Sequence, residues 1–525
     1  MPSITLANLG WSTPDGRPVL ADIDLRFQRE RVGIVGRNGV GKSTLLHLLT
    51  GERRPASGSI AIDGSVAMLR QTVHVDPDET IADLFDARAS LALLRKAEAG
   101  DASAEDIGDA DWTLEARIDE ALAKLGLALP ADTPLSHLSG GQRTRAALAA
   151  AIFAAPDFLL LDEPTNNLDR EGRAAVRDLL RGWRSGAIVV SHDRELLEEM
   201  DAIVEITSLG AARYGGGWSA YRMRKEIERA AVEADLADAE KRLDTARREA
   251  QAASERQDRR DAGGRRKAAR GDMPKIVLGG QKRRAQETRA AATRLAGRQR
   301  DAAQAQLSAV RAKIEVVDPL SAGLPPTGLA AARTVLALDA VTAGYARGQP
   351  VIRNLSLTVT GPERVAITGP NGSGKSTLLA LVAGTIGPWS GAVRTQVPFA
   401  MFDQRVSLLD PSLSIADNFL ALCPGATNNQ CRAALARFRF RADAADRIVG
   451  TLSGGQMLRA GLACVLGAPQ PPQLLILDEP GNHLDIESLT AIETGLAAYD
   501  GALLVVSHDP AFLDAIGITR EIALG

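Results

Sequence analysis

The pentapeptide Leu138-Ser139-Gly140-Gly141-Gln142 returns as Leu452-Ser453-Gly454-Gly455-Gln456. Each copy stands between its own Gly-x-x-x-x-Gly-Lys-Ser segment and its own Leu-Asp-Glu-Pro tetrapeptide. One short motif recurs by chance, but several in the same order imply one fold laid down twice. The register can be read residue by residue. Lys42 and Lys375 lie 333 positions apart, as do Gln71 and Gln404; Ser139 and Ser453 lie 314 apart; Asp162 and Asp478, like His192 and His508, lie 316 apart. The first copy therefore carries 19 extra residues between its glutamine and its pentapeptide. They fall in the Ala/Asp/Gly-rich stretch 89–110, read as a helix extension or a loop on a helical subdomain. The second copy has two extra residues before its Asp-Glu pair, in a loop made by Pro469, Pro471 and Pro472.

Short apolar runs mark buried strands: Val32 to Val35, Phe158 to Leu161 and Ile188 to Val190, answered by Val365 to Ile367, Leu474 to Leu477 and Leu503 to Val506. Such runs alternating with helical patterns predict parallel sheets in α/β domains. The turn signals Pro14-Asp15-Gly16 and Gly348-Gln349-Pro350 predict antiparallel strands joined to each main sheet. Between the copies the composition changes. From about Trp218 to Val317 the pattern is helical and rich in Ala, Arg and Glu, with Ile227, Ala231 and Ala234 on one face and Leu307, Val310 and Ile314 on another. Gly263-Gly264 and Gly271-Asp272-Met273-Pro274 break the run, so two helices packed as an antiparallel hairpin are expected. The expected domains are 1–216, a basic helical linker 217–332, and 333–525, each long enough for its own core.

Composition bounds the function classes. The net charge is −3, yet residues 251–300 hold 15 Lys/Arg against 5 Asp/Glu. The three cysteines have no metal-ligand or CxxC spacing and read as reduced thiols of a cytoplasmic protein. The first twenty residues lack the apolar core of a signal peptide, and no run of about eighteen apolar residues predicts a membrane span.

Both Gly36-Arg37-Asn38-Gly39-Val40-Gly41-Lys42-Ser43 and Gly369-Pro370-Asn371-Gly372-Ser373-Gly374-Lys375-Ser376 match the phosphate-binding loop in full, with Thr44 and Thr377 following. Glycines let backbone N–H groups wrap a phosphate, and the helix N-terminus that follows adds a positive dipole. Lys42 and Lys375 are placed to reach the β- and γ-phosphates of a nucleotide, and Ser43 and Ser376 to ligate Mg²⁺. In Asp162-Glu163 and Asp478-Glu479 the first carboxylate can hold the metal ion and the second can orient and polarise an attacking water.

With these motifs in this order, both repeats resemble the ATP-binding cassette family, of which the Leu-Ser-Gly-Gly-Gln signature is diagnostic. The resemblance implies two P-loop NTPase domains, each with an α/β core, an antiparallel β subdomain and a helical subdomain, joined by an α-helical hairpin linker. It also implies a head-to-tail sandwich in one monomer. ATP on one P-loop (Gly36, Asn38, Gly39, Gly41, Lys42) is capped by Ser453, Gly454, Gly455 and Gln456 of the other cassette; ATP on the second (Gly369, Asn371, Gly372, Gly374, Lys375) is capped by Ser139, Gly140, Gly141 and Gln142. A Ser-Gly-Gly helix start is itself an anion binder, and two electropositive faces repel until the nucleotide joins them. By the same resemblance Gln71 and Gln404 are Q-loop glutamines near the metal and the water. Asn167-Leu168-Asp169 and His483-Leu484-Asp485 are D-loops, His192 and His508 face the γ-phosphate, and Trp11 and Tyr345 stack on adenine. Gly481 stands where the first copy has Thr165, and Met457 where it has Arg143; neither removes a catalytic group, so both sites are expected to hydrolyse ATP, at unequal rates.

Two cassettes with no membrane domain and a basic helical linker are similar to the ABC-F translation factors, and Trp218-Ser219-Ala220-Tyr221 resembles the start of that family's linker. The resemblance implies a ribosomal partner, with the linker against ribosomal RNA and the P-site tRNA. Residues 251–300 contain no aromatic, so phosphate contacts and not base stacking are expected, from Arg259, Arg260, Arg265, Arg266, Lys267, Arg270, Lys282, Arg283 and Arg284. The 19 extra residues are few for the long arm of some members, the sequence stops at Gly525 without the basic C-terminal coiled coil of others, and the linker tip is basic and Gly-broken. A general translation factor is therefore expected ahead of an antibiotic-resistance factor. A transporter ATPase and a DNA-maintenance ATPase are the alternatives; the first leaves the basic linker without a use, and the second usually carries a far longer coiled coil.

Overall fold

The computed structural model describes residues 1–69, 76, 78–101, 103, 110–166, 168–268, 294–295, 297–308, 310, 323–346, 348–482 and 484–524. It forms two compact units: Met1–Tyr221 together with Pro319–Gly525, and Arg222–Asp318.

In the first unit each cassette is built on a sheet of buried strands. Phe158–Asp162 and Gly186–Val190 are buried at every position, as are Leu474–Asp478 and Ala502–Val506. Strands buried on both faces need helices on both faces, and this gives the parallel arrangement. The first sheet runs Val66–Leu69, Phe158–Asp162, Gly186–Val190, Arg31–Val35, Ala202–Thr207 and Gly210–Gly215, the last strand antiparallel. The second runs Phe399–Phe402, Leu474–Asp478, Ala502–Val506, Arg364–Thr368 and Arg520–Ala523, all parallel.

The expected antiparallel strands are present but are not joined to the main sheets. Ser3–Ser12 pairs with Pro18–Phe27 and Ser57–Asp63 in a separate three-stranded sheet, and Thr334–Ala343 does the same with Ile352–Thr360 and Ser390–Thr395. The connection is by packing instead. Ile4, Leu9 and Phe27 share a core with Ile34 and Phe158 of the main sheet and with Leu45 and Leu46 of the helix Lys42–Leu49 that lies between them.

A second core in each cassette holds the helical subdomain. The helix Arg88–Ala99 opens the stretch where the first copy is longer; it buries Leu91 and Leu94 and stops at Gly100, whose φ of 79° suits glycine. The helices Ile415–Leu422 and Asn428–Arg437 pack Phe419, Cys431 and Leu435 against Phe402, Phe438 and Cys464. All three cysteines are free thiols, and burial raises each of them above the ordinary value.

The second unit is helical. One helix runs from Trp218 to Ala268, and residues 294–295 and 297–308 are also helical. Leu236, Ala239 and Leu243 meet Ala303, Leu307 and Val310. The seam is therefore not the face expected from Ile227, Ala231 and Ala234, all of which are exposed, Ile227 at 63%. Among the described residues, the later ones are those with a partner helix against them. Ile314 lies outside the described residues. Gly263-Gly264 do not break the helix either, because a glycine costs only about 1 kcal/mol against alanine and the flanking residues are good helix formers. The first turn of this helix belongs to the cassette: Tyr221 is buried and donates to Glu205 Oε1 at 3.0 Å. No helix among the described residues is long and apolar enough to cross a membrane.

Phe419 is fully buried where the helical subdomain joins the second sheet. Phe419→Ala leaves a cavity expected to remove about 3–5 kcal/mol. A thermal melt followed by calorimetry should show the second cassette unfolding at lower temperature, and an unchanged trace would show that this core collapses around the loss.

Candidate active site

Each phosphate-binding loop leaves the end of a central strand and turns into a helix. The strand Arg31–Val35 is followed by the helix Lys42–Leu49, and Arg364–Thr368 by Lys375–Val382. Gly36 has φ 150° and a side chain there would meet the Ile206 carbonyl at 2.3 Å; Gly369 has φ 139° and would meet the Leu524 carbonyl at 2.2 Å. Both positions require glycine on two counts. Lys42 and Lys375 are buried, and their ammonium groups donate to the carbonyls of Gly36 and Arg37 (2.7 and 3.2 Å) and of Gly369 and Pro370 (2.9 and 2.9 Å). Gly39 and Gly372 are exposed at the crest of the loop, while Gly41 and Gly374 cap the helices in the left-handed conformation. Thr44 and Thr377 lie in the first helical turn beside the serines.

Asp162 and Asp478 end the strands next but one to these central strands, in register with Val190 and Val506 of the strands between. Their carboxylates take hydrogen bonds from Ser43 and Ser376. The paired hydroxyl and carboxylate expected at a metal ion thus come together in both copies. Burial raises both aspartates, and Oδ1 of each is buried with no hydrogen-bond partner among the described residues. A hydroxyl, a carboxylate and an unpaired oxygen suit Mg²⁺, which takes few protein ligands and completes its shell with water and phosphate.

Glu163 and Glu479 follow with φ of 49° and 50°, an uncommon conformation for glutamate. Each is pinned by its own N–H, which donates to Val190 or Val506 at 2.9 Å. Strain held at the same place in both copies is a mark of a working site. Burial pushes Glu163 up to about 8, opposed by Lys42 and helped by Asp162. Burial likewise pushes Glu479 up to about 7, but here Arg173 of the first cassette pulls it back. Nε2 of His192 lies 3.3 Å from Glu163, and Nε2 of His508 lies 3.4 Å from Glu479. Burial lowers the two imidazoles to about 3 and about 4, so both are neutral and neither contact is an ion pair at neutral pH.

The cassettes meet through their D-loops. Asp485 Oδ2 accepts the Asn38 N–H of the first phosphate-binding loop at 2.8 Å, and Asp169 Oδ2 accepts the Asn371 N–H of the second at 3.3 Å. Burial works against the Asp485 carboxylate, yet hydrogen bonds from Ser488 and Asn38 hold it below the usual range. Ser139 and Ser453 begin the helices Gly140–Phe153 and Gly454–Leu466 in reciprocal caps with Gln142 and Gln456. Gly141 and Gly455 are buried, whereas Ser139, Gly140, Ser453 and Gly454 are exposed. Arg459, on the second of these helices, feels the Arg37 cation of the opposite phosphate-binding loop.

Other expected residues are less gathered. The Arg53 guanidinium covers the Trp11 ring at 4.8 Å, and Tyr345 is 71% exposed. Gln404 is exposed in the turn beyond Phe399–Phe402. Gln71, Asn167 and His483 lie outside the described residues, as do Arg270, Lys282, Arg283 and Arg284. Arg259 is exposed on the long helix, which also carries Arg260, Arg265, Arg266 and Lys267. Sequence reasoning did not single out Arg173 or the pair Arg194–Glu493, which also crosses between cassettes. Comparing the two copies position by position would have drawn the eye to them, because neither has a like residue in the other copy.

The family model described as ABC transporter matches residues 20–166 and 352–482. The tylosin resistance ATP-binding protein TlrC of Streptomyces fradiae is 35% identical over 537 residues, covering 94% of this chain and 92% of its own. The energy-dependent translational throttle protein EttA of Mycobacterium tuberculosis is 31% identical over 525 residues, covering 94% and 87%. Among solved structures, the archaeal ribosome recycling factor aABCE1, in complex with the stalk protein aP1, superposes with a TM-score of 0.56 at 19% identity, over 98% of this chain and 87% of that one. That likeness carries the fold alone.

A water-activating carboxylate must be ionised, and kcat/KM reports the free enzyme. With the two glutamates at about 8 and about 7, the water-activating role expected of them predicts that kcat/KM for ATP climbs as pH rises through this range. The rise expected between about pH 6 and pH 9 is roughly tenfold or more. A flat profile in a steady-state phosphate-release assay would show that both carboxyls are already ionised before nucleotide binds.

Proposed function

The chain belongs to the ABC-F family of ATP-binding cassette ATPases, and from that premise we propose that it is a ribosome-acting translation factor driven by closure of its own two cassettes. The observation that supports closure is the reciprocal pair of D-loop contacts, Asp485 to Asn38 and Asp169 to Asn371, and what favours the ribosome is the basic segment 251–300 with likeness to a translational throttle protein over 94% of the chain. Each D-loop contact puts a carboxylate of one cassette on the phosphate-binding loop of the other, so each loop belongs to a site built from both.

In the first site Lys42 and the loop amides hold the β- and γ-phosphates of ATP, and the helix start at Ser453, Gly454 and Gly455 closes over the γ-phosphate from the second cassette. Ser43 and Asp162 would hold Mg²⁺, the ion to which the family resemblance also assigns Gln71; when bound, the ion would neutralise charge that develops on the phosphate oxygens. Glu163 orients the attacking water and takes its proton, and His192 holds the γ-phosphate side of the site. In the second site Lys375, Ser376, Asp478, Gln404, Glu479 and His508 act in the same way under Ser139, Gly140 and Gly141. Trp11 and Tyr345 stack on the two adenines. Trp11 does so once Arg53 moves from its ring or sandwiches the base against it. The domains are the two cassettes, 1–216 and 333–525, and the linker 217–332. The linker's excess of Lys and Arg meets RNA phosphate, and the cassettes' closure sets its angle on the ribosome. The protein works as a cytoplasmic monomer.

Replacing both glutamates, Glu163→Gln with Glu479→Gln, keeps the site's shape and removes the proton acceptors. ATP hydrolysis should fall about a hundred- to ten-thousand-fold. The variant should sediment with ribosomes in ATP and be released by salt, because phosphate contacts weaken as salt rises. Normal hydrolysis by the double variant would overturn the assignment of the glutamates, and ribosome binding indifferent to ATP would overturn the coupling.

Likeness to a tylosin resistance protein over nearly the whole chain favours a second reading, in which the same cycle protects the ribosome from that drug. Expression in a susceptible host should then raise the inhibitory concentration of tylosin, and the double glutamate variant should not. No rise with the intact protein would exclude this reading and leave the first untouched.

A further inference from the structure

The two composite sites are tied across the cassette boundary by different bonds. Arg194 comes two residues after His192 of the first site and opens the helix Arg194–Glu198. Its guanidinium makes a fork with Glu493 of the second cassette, Nη1 to Oε1 at 2.8 Å and Nη2 to Oε2 at 3.0 Å. The two side chains are only 15% and 10% exposed. Glu493 lies on the helix Ile486–Ala498, whose N-cap is Asp485, the residue that holds the first phosphate-binding loop at Asn38. Helix, cap and fork therefore link His192 and Asn38 to one rigid element of the other cassette.

The other site lacks this arrangement. At the repeat spacing Arg194 corresponds to Pro510, and Glu493 to Arg177. Proline offers no charge, and Arg177 pairs with Glu195 inside its own cassette. A further ion pair at the first site, Arg37 to Glu487 at 3.5 Å, is replaced at the second by Pro370 and Glu171. This outer pair is half-exposed and contributes little on its own. The D-loop bond at the second site is also the longer of the two, 3.3 Å against 2.8 Å. A bidentate guanidinium–carboxylate pair is specific in geometry, and losing one partner of a buried pair strands the other charge.

We propose that Arg194 and Glu493 form a one-sided latch that keeps the first composite site shut through several openings of the second. The second site thus turns over as the working gate, and the first acts as a hinge. Arg194 is a positioning residue here: it touches no nucleotide and acts by holding the His192 loop against the opposite cassette. The inference rests on the reading that the cassettes close on two nucleotides.

The test follows each half of the interface by itself. Dyes on Asp15→Cys and Thr451→Cys report on the first site, and dyes on Gln349→Cys and Ser136→Cys on the second; all four residues are exposed. In the Glu163→Gln, Glu479→Gln background with ATP, both pairs should shorten. If neither does, the two-site closure itself fails, apart from any latch. In the protein with both glutamates and excess ATP, single-molecule traces should show the second pair opening repeatedly while the first stays short. Arg194→Ala should raise the opening rate of the first pair roughly tenfold or more and leave the second within about twofold. The exchange Arg194→Glu with Glu493→Arg should restore the slow rate, which loss of fold would not allow. Equal opening of both pairs before mutation, or no change at the first pair in a folded Arg194→Ala protein, would overturn the latch.

Discussion

A carboxylate of one cassette accepting a backbone proton from the phosphate-binding loop of the other is the interaction on which the rest of this structure turns. Asp485 does this for Asn38 and, on the same helix, leads to Glu493. The loop that binds phosphate cannot be described without the opposite D-loop, so the unit of chemistry is the pair of cassettes. The hydrogen bond is charge-assisted and mostly shielded from water, which roughly doubles its strength over a neutral one. Burial works to raise the Asp485 carboxyl, and the hydrogen bonds from Ser488 together with this one hold it below the usual range.

Burial sets the charge state of each site. Lys42, Glu163 and His192 are taken out of water together, and each is pushed toward its neutral form. A triphosphate with its metal reverses that balance, because a new anion favours the charged lysine and a new cation favours the charged carboxylate. Binding is therefore coupled to proton movement within the site. The second site sits on a different footing, since Arg173 supplies a cation toward Glu479 where the first site has Leu489 of the second cassette, a buried core residue, at the matching position.

Much of this was legible in the sequence because the motifs carry backbone requirements as well as chemistry. The strands beneath Asp162 and Asp478 could be placed because a run such as Leu474-Leu475-Ile476-Leu477 has nowhere to go but a covered sheet. What could not be read depended on neighbours distant in the chain. Leu236, Ala239 and Leu243 form the helical seam because Leu307 stands opposite, and Ile227, as apolar, is exposed and has no such partner among the described residues. The antiparallel strands were foreseen, but whether they joined the main sheet or packed on it through Leu45 and Leu46 was not coded by their alternation. The left-handed glutamates were equally hidden, since nothing in Asp-Glu-Pro states a φ of 49°. The cross-cassette fork of Arg194 and Glu493 needed the fold to bring together residues 299 positions apart.

The same differences bear on which cassette function fits. A DNA or membrane role would use ATP closure equally well, so the cassettes alone do not choose among the three. The choice falls to the inserted helices. Residues 251–300 concentrate positive charge in a chain that is acidic elsewhere, and hold no aromatic to stack on a base. Under the proposed function this segment would read a phosphate backbone by charge and shape, so specificity would have to come from elsewhere in the chain.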